Sequence, residues 1–264
     1  MSGTSRQIYL MYHELELPDR PLCQNEPGYV RYVVDASDFR AQMQSLKDCG
    51  FEGMNVTTAL NNPERRGVVI TFDDGCETDL IAAAPILHEF GFNATFYITV
   101  GFLEKRGYLS RTQLRELGDL GLEIGSHSMT HSYLTDLSQD QIMHEISASK
   151  HELEQITGRM VQHFSCPGGR WDRAVAETAR QSGYRSVTTS HVAANSRHSD
   201  PYALGRVAIL RGTHLASFEK KTKGHGLWQL RLRDSARNAA KHLFGNHVYD
   251  LFRAQILRKN GPNR

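Results

Sequence analysis

Cysteine is scarce in this sequence: 264 residues hold four (Cys23, Cys49, Cys76 and Cys166), far apart and with no CxxC pair among them. Such spacing excludes a disulfide-stapled scaffold and a zinc knuckle, and leaves buried or half-buried free thiols as the plain reading. Long apolar runs are missing as well. No window approaches the roughly 20 residues that a membrane-spanning helix needs. The first apolar stretch, Ile8-Tyr9-Leu10-Met11-Tyr12, is too short for the core of a secretory signal, so a cytoplasmic location is expected. Neither sign of charge dominates, with 31 Lys and Arg against 29 Asp and Glu and a net charge of +2. That balance is too mild to argue for nucleic acid as a partner. Tandem repeats and low-complexity tracts are also absent.

What is present is ordinary globular composition, 39% hydrophobic and 23% charged, in a chain long enough to bury a sizeable core. Gly50, Gly91, Gly121, Gly158 and Gly183 each follow a helix-like segment, where the left-handed C-cap position favours glycine. Ser37, Ser110 and Ser138 stand where helix N-caps are expected. Between these helices lie short β-branched or aromatic runs at 8–12, 68–72, 94–98, 122–124, 161–164, 186–189 and 207–210. Apolar runs of this length suit strands buried on both faces, and their alternation with helices predicts a parallel sheet, open or closed into a barrel. From about Lys220 the pattern changes. Lys and Arg recur, acids nearly vanish, and Leu227, Leu230, Leu243, Tyr249, Leu251 and Phe252 are interleaved. The tail at 216–264 is therefore expected to form a basic amphipathic helical appendix. It either packs on the main domain or docks on an anionic membrane surface or lipid-linked substrate.

Three short motifs carry chemistry. In Val69-Ile70-Thr71-Phe72-Asp73-Asp74-Gly75 a buried strand ends in two carboxylates. Buried charge of that kind is costly unless a ligand or metal relieves it, and the C-terminal rim of a parallel sheet is where α/β enzymes place their sites. The sequence Asp-Asp-Gly is also a good turn. In His127-Ser128-Met129-Thr130-His131 two histidines four residues apart follow another strand and fall on the same rim. With a carboxylate they make two nitrogens and one oxygen, the donor set of a catalytic divalent-metal site. Zinc leads, with cobalt and nickel as alternatives. The third motif, Ser165-Cys166-Pro167-Gly168-Gly169-Arg170-Trp171, is either a plain strand-to-helix connection or a turn whose backbone N–H groups face an oxyanion. Trp171 reads equally as a core residue and as an apolar wall for a sugar.

These motifs, in this order and spacing and with Ser182-Gly183-Tyr184 downstream, resemble the polysaccharide deacetylases, the carbohydrate esterase family with the NodB-homology domain. The resemblance covers roughly residues 8–210. It implies a distorted (β/α) barrel of about seven parallel strands over 1–215, hydrolysis of an N-acetyl group on a sugar, and a divalent metal, chiefly Zn2+. It also implies that Asp73 is the general base, that Asp74, His127 and His131 are metal ligands, and that the Gly168 N–H stabilises the oxyanion. Two features depart from the common pattern. No Leu-x-x-His-like motif supplies the general acid near the C-terminus. His13, in Met11-Tyr12-His13, is similar to the N-terminal histidine of a circularly permuted exopolysaccharide-deacetylase subgroup and is assigned that role, with His214 in reserve. Ser165 stands where an arginine that orients the base is usual, and Arg206 or Arg170 is expected to replace it. The implied substrate is an N-acetylated sugar polymer or its lipid- or nucleotide-linked precursor. Other acyl substrates, including O-acetyl esters, and an inactive glycan-binding barrel are the alternatives.

Overall fold

The computed structural model describes residues 6–232. The chain opens with β1 (Gln7–Tyr12), β2 (Leu15–Glu16), α1 (Pro27–Val30), β3 (Val34–Asp35), α2 (Ala36–Asp48), β4 (Glu52–Met54) and α3 (Val56–Asn61). Next come β5 (Gly67–Asp74), a π turn at Asp79–Ala83 leading into α4 (Ala84–Phe90), β6 (Thr95–Ile98), α5 (Arg111–Asp119), β7 (Glu123–Ser126) and α6 (Gln139–Thr157). The last part holds β8 (His163–Ser165), α7 (Arg173–Gln181), β9 (Ser186–Thr188), β10 (Ala194–Asn195), β11 (Val207–Ala208) and α8 (Leu215–Thr222).

Helix ends follow local chemistry. Ser110 and Ser138 each form a capping box with Gln113 and Gln141, so both serines cap as expected. Ser37 does not. Helix α2 starts two residues earlier, and the Asp35 carboxylate is its N-cap, accepting from the Ser37 N–H at 2.7 Å. Gly91 and Gly158 are left-handed C-caps.

All seven expected runs become strands of one nine-stranded sheet ordered β10-β1-β5-β6-β7-β8-β9, with β11 beside β1 and β4 beside β5. Its ladders are parallel except that of β1 with β10. The sequence pattern does not show β4 (Glu-Gly-Met) or β10 (Ala-Asn), which hold no β-branched or aromatic residue. The sheet curls until its edges nearly meet. Leu204 bridges to Thr188 at the β9 edge, and a few residues later Val207 pairs with Leu10 while the Ile209 N–H donates to Met11. Residues 204–209 thus close the distorted barrel, and Arg206 lies in that seam.

Side-chain alternation sorts two apolar layers. Tyr9, Val69, Tyr97, Met54, Val56, Ala59 and Leu204 fill the barrel interior. Leu10, Ile70, Phe72, Phe96 and Phe39 face the surrounding helices in a larger core. There Phe72 stacks between Tyr12 and Phe96 at 5.3 and 4.9 Å. With Phe72 turned outward, Thr71 and Asp73 turn inward, at the C-terminal mouth of the barrel. Helix α8 packs on α2 and β1, with Phe218 buried and the Ser45 hydroxyl donating to Glu219 at 3.0 Å. Most of the expected basic appendix, including Leu243, Tyr249, Leu251 and Phe252, lies outside the described residues. Among the described residues no helix is long and apolar enough to cross a membrane.

Candidate active site

Parallel register assembles the site. Asp74 pairs with Ile98 and Ile98 with Ser126, so the residue after Ser126, His127, emerges beside Asp74. On the other flank Tyr12 pairs with Phe72, which brings His13 level with Asp73. Asp74, His127 and His131 each offer one ligand atom, all within 4.8 Å of one another. The Asp74 Oδ1 lies 3.6 Å from His127 Nε2 and 3.4 Å from His131 Nε2. Asp74, Ser128 and His131 have φ of +83°, +71° and +66°. Such backbone costs on the order of 1–3 kcal/mol per residue and persists only where its surroundings impose it.

Glu145 supplies much of that constraint. It is buried on α6, accepts from the Met129 and Thr130 N–H groups at 2.9 Å and takes the Thr130 hydroxyl at 2.7 Å. Ser128 Oγ also receives the His131 N–H at 3.0 Å. Glu145 was not anticipated. Its signal was an acid standing within the inward stripe Ile142, Ile146, Ser149, Leu153 of an amphipathic helix.

These residues fit a metal on three observations. The Asp74 Oδ1 is buried and has no hydrogen-bond partner, an arrangement a protein ordinarily avoids. His127 Nδ1 lies 2.8 Å from the Ser165 carbonyl, which fixes the tautomer that leaves Nε2 as a lone-pair donor. Burial, partly offset by Asp73, lowers the His127 pKa to about 4, so the ring is neutral and able to ligate at neutral pH. Three protein ligands leave positions open for water or substrate, as in catalytic rather than structural sites.

Asp73 has a different environment. Arg206 grips it in a two-pronged pair, 2.7 Å from Nη1 to Oδ1 and 2.7 Å from Nη2 to Oδ2. The rest of the guanidinium is also used: Nε donates to the Thr189 carbonyl at 3.0 Å, Nη1 to Thr71 Oγ1 at 3.1 Å and Nη2 to Ser165 Oγ at 2.8 Å. Burial alone would raise the Asp73 carboxyl, but Arg206 and then His127 outweigh it and hold it well below the usual carboxylate range. The small Ser165 hydroxyl leaves room beside Asp73 for a guanidinium arriving from the seam. Arg170 instead pairs with Asp136 at 2.9 Å and lies 3.6 Å above the Tyr133 ring.

The polysaccharide deacetylase family model matches residues 60–187, a stretch containing Asp73, Asp74, His127, His131 and Gly168. This central segment belongs to the polysaccharide deacetylase family. The provisionally named polysaccharide deacetylase YxkH of Bacillus subtilis is 28% identical over 191 residues, 70% of this chain and 68% of its own. A peptidoglycan-N-acetylglucosamine deacetylase of Bacillus cereus is 32% identical over 148 residues, 55% of this chain and 63% of its own length. Among solved structures, a polysaccharide deacetylase from Bacillus cereus superposes with a TM-score of 0.73 at 25% identity, over 83% of this chain and 69% of that one. The Streptococcus pyogenes deacetylase PplD, solved with acetate, gives 0.73 at 22% identity over 83% of this chain and 99% of its own, and shares the fold.

Arg206 and His13 lie outside the segment that matches the polysaccharide deacetylase model. His13 is half-buried at the rim, with its ring 4.8 Å from that of Tyr32 and its Nδ1 buried without a partner. His214 is exposed at the start of α8, on the helix that packs against α2. Gly168 has φ of +61° and lies under Tyr133, whose ring a Cβ would meet at 2.5 Å. In the same turn the Gly169 and Arg170 N–H groups donate back to Cys166 and Pro167. The Trp171 indole N–H donates to the Tyr202 carbonyl at 2.7 Å and the ring packs on the core, so this face of Trp171 is structural.

Proposed function

We propose that this protein is a metal-dependent hydrolase that removes N-acetyl groups from a polysaccharide containing N-acetylhexosamine, or from its precursor. The observation that carries the reading is one rim with two kinds of carboxylate. Asp73 is locked in an ion pair with Arg206, while Asp74 presents an unpartnered oxygen beside two imidazoles. The Bacillus cereus relative is named for an N-acetylglucosamine amide in peptidoglycan, which supports the substrate class.

Asp74, His127 and His131 would hold the cation, with zinc suited to two imidazoles and one carboxylate, and cobalt or nickel able to replace it. When bound, a divalent ion there supplies a lowered pKa for water and polarisation of the acetyl carbonyl. Asp73, kept ionised and oriented by the Arg206 fork, takes the proton from the attacking water. The N–H of Gly168, in the Pro-Gly-Gly turn, donates to the oxyanion that forms as the carbonyl becomes tetrahedral. His13, level with Asp73 on the opposite flank, gives a proton to the amide nitrogen as the C–N bond breaks. Acetate and a free amine leave.

The test is the metal content of the purified protein, together with acetate release from N-acetylglucosamine oligomers before and after chelation. Bound metal with chelator-sensitive release is expected, and Asp73→Asn should abolish release while retaining metal. Metal without release from any N-acetylated sugar would refute the N-deacetylase reading. No metal, even after zinc is added, would overturn the site assignment.

A further inference from the structure

Two cysteines that lie far apart in sequence converge beside the loop that follows β5. Cys23 comes from the connection between β2 and α1, and Cys76 lies just past Gly75. A carboxylate oxygen of Glu14 and the two sulfurs lie within 4.8 Å of one another. Glu14 is 2% exposed and Cys76 is fully buried, while Cys23 is half-buried. The cluster is braced from several sides. The Cys23 N–H donates to both Glu14 oxygens at 3.1 Å, and the Tyr29 hydroxyl lies 2.9 Å from Glu14 Oε2 and 3.3 Å from Cys76 Sγ.

A second, independent feature lies next to this cluster. Asp79 is fully buried and neither carboxylate oxygen has a hydrogen-bond partner. Its backbone N–H donates to the Cys76 carbonyl at 3.0 Å, which ties it to the cluster. It also opens the π turn before α4, an irregularity that is frequent at functional sites. A buried carboxyl with no donor is costly, and a cation bound by the neighbouring cluster would relieve part of that cost.

We propose that Glu14, Cys23 and Cys76 form a second divalent-metal site beside the buried Asp79 carboxyl, separate from the Asp74 group and selective for a thiophilic ion such as zinc. Two sulfurs and one carboxylate oxygen would supply three of the four positions of a tetrahedral zinc site. Metal–ligand bonds of about 2.0–2.3 Å would place the ligand atoms roughly 3–4 Å apart, compatible with the observed cluster. Magnesium and calcium, which prefer all-oxygen shells, are disfavoured by the sulfurs. On binding, each thiol releases its proton to solvent as its sulfur–metal bond forms. The ion would tie the β2–α1 connection to the loop that begins at Gly75, and so brace the deacetylase rim from behind.

The experiment titrates cobalt(II) into the metal-free full-length protein in a non-chelating reductant, with metal per chain measured in parallel. Thiolate ligation gives an intense charge-transfer band in the near ultraviolet, which Asp74, His127 and His131 cannot produce. The expected result is such a band and one equivalent of metal beyond any held by those three residues. The band should persist when His127 and His131 are both replaced by Ala. It should be lost in Cys23→Ser, a change at the half-buried edge, and circular dichroism should show that this variant is folded. Asp79→Asn should weaken cobalt binding at least tenfold. The proposal is overturned if the reduced wild-type protein gives no band, or if the band survives Cys23→Ser or vanishes with the two histidines. A Cys23–Cys76 disulfide in the unreduced protein, with no cobalt bound after reduction, overturns it too. Failure of the Asp74 group to bind metal would leave the band intact, so the two assignments fail separately.

Discussion

Replacing Arg206 with methionine keeps a long side chain in the barrel seam and removes every hydrogen bond of its guanidinium. Asp73 loses both 2.7 Å contacts while remaining 2% exposed. Breaking a buried pair by deleting one partner costs about 3–5 kcal/mol, because the survivor keeps its desolvation penalty. Urea unfolding at pH 7 should therefore show a loss of that size. The pH dependence follows from the depressed Asp73 pKa. A carboxyl held low in the folded state contributes stability that is complete above its unfolded pKa of about 3.9 and is lost as pH falls through the folded value. Without Arg206 the burial that raises the carboxyl is less opposed, so its pKa rises and the acidic limb of kcat moves to higher pH. Loss of a partner that orients a catalytic group commonly costs 10–100-fold, and kcat at the pH optimum should fall within that range. Arg206→Lys should restore the position of the acidic limb better than the rate, since an ammonium keeps the charge but cannot reproduce the fork. Arg206→Met with a stability loss below about 1 kcal/mol and an unmoved acidic limb would refute the reasoning.

Other expectations concern single residues on the same rim. His13→Ala should slow release of acetate from an amide far more than from an aryl acetate ester, whose leaving group needs no acid; equal effects on both would remove His13 from the proton relay. Gly168→Ala should lower both stability and kcat, because the new Cβ meets the Tyr133 ring at 2.5 Å on a backbone with φ of +61°. Gly168→Ala combined with Tyr133→Ala should recover part of that loss, and a strictly additive pair would count against the contact. Glu145→Ala strips three hydrogen bonds from the loop between the histidines. At about 1–3 kcal/mol for buried groups left unsatisfied, it should weaken metal binding at least tenfold, measured by competition with a chelating dye.

Much of the candidate site's placement on one rim was legible because its signals are local. Asp73 and Asp74 ending an apolar strand, and His127 and His131 opening the next loop but one, need only the rule that parallel strands present their C-terminal ends on one rim. Ser110 and Ser138 were legible for a similar reason, since a capping box is complete within four residues. Ser37 was misjudged because Asp35, two positions away, offers an equally good acceptor, and the start of α2 at Ala36 decides between them. Strands β4 and β10 left no trace, because their pairing partners and not their own residues make them strands.

The choice of Arg206 over Arg170, and the meeting of Cys23 with Cys76, belong to tertiary structure alone. A guanidinium grips Asp73 only if its donors reach both carboxylate oxygens, and that depends on how the sheet closes at 204–209. Glu145 shows the same division: the helical stripe marks it as inward, but only the packing of α6 against the loop says which amides it receives. The order of apolar runs and the spacing of acids and imidazoles fixed which residues share the rim. Which of them touch was decided by curvature of the sheet and closure of the seam, because ångström-scale contact between distant segments is a property of the packed whole.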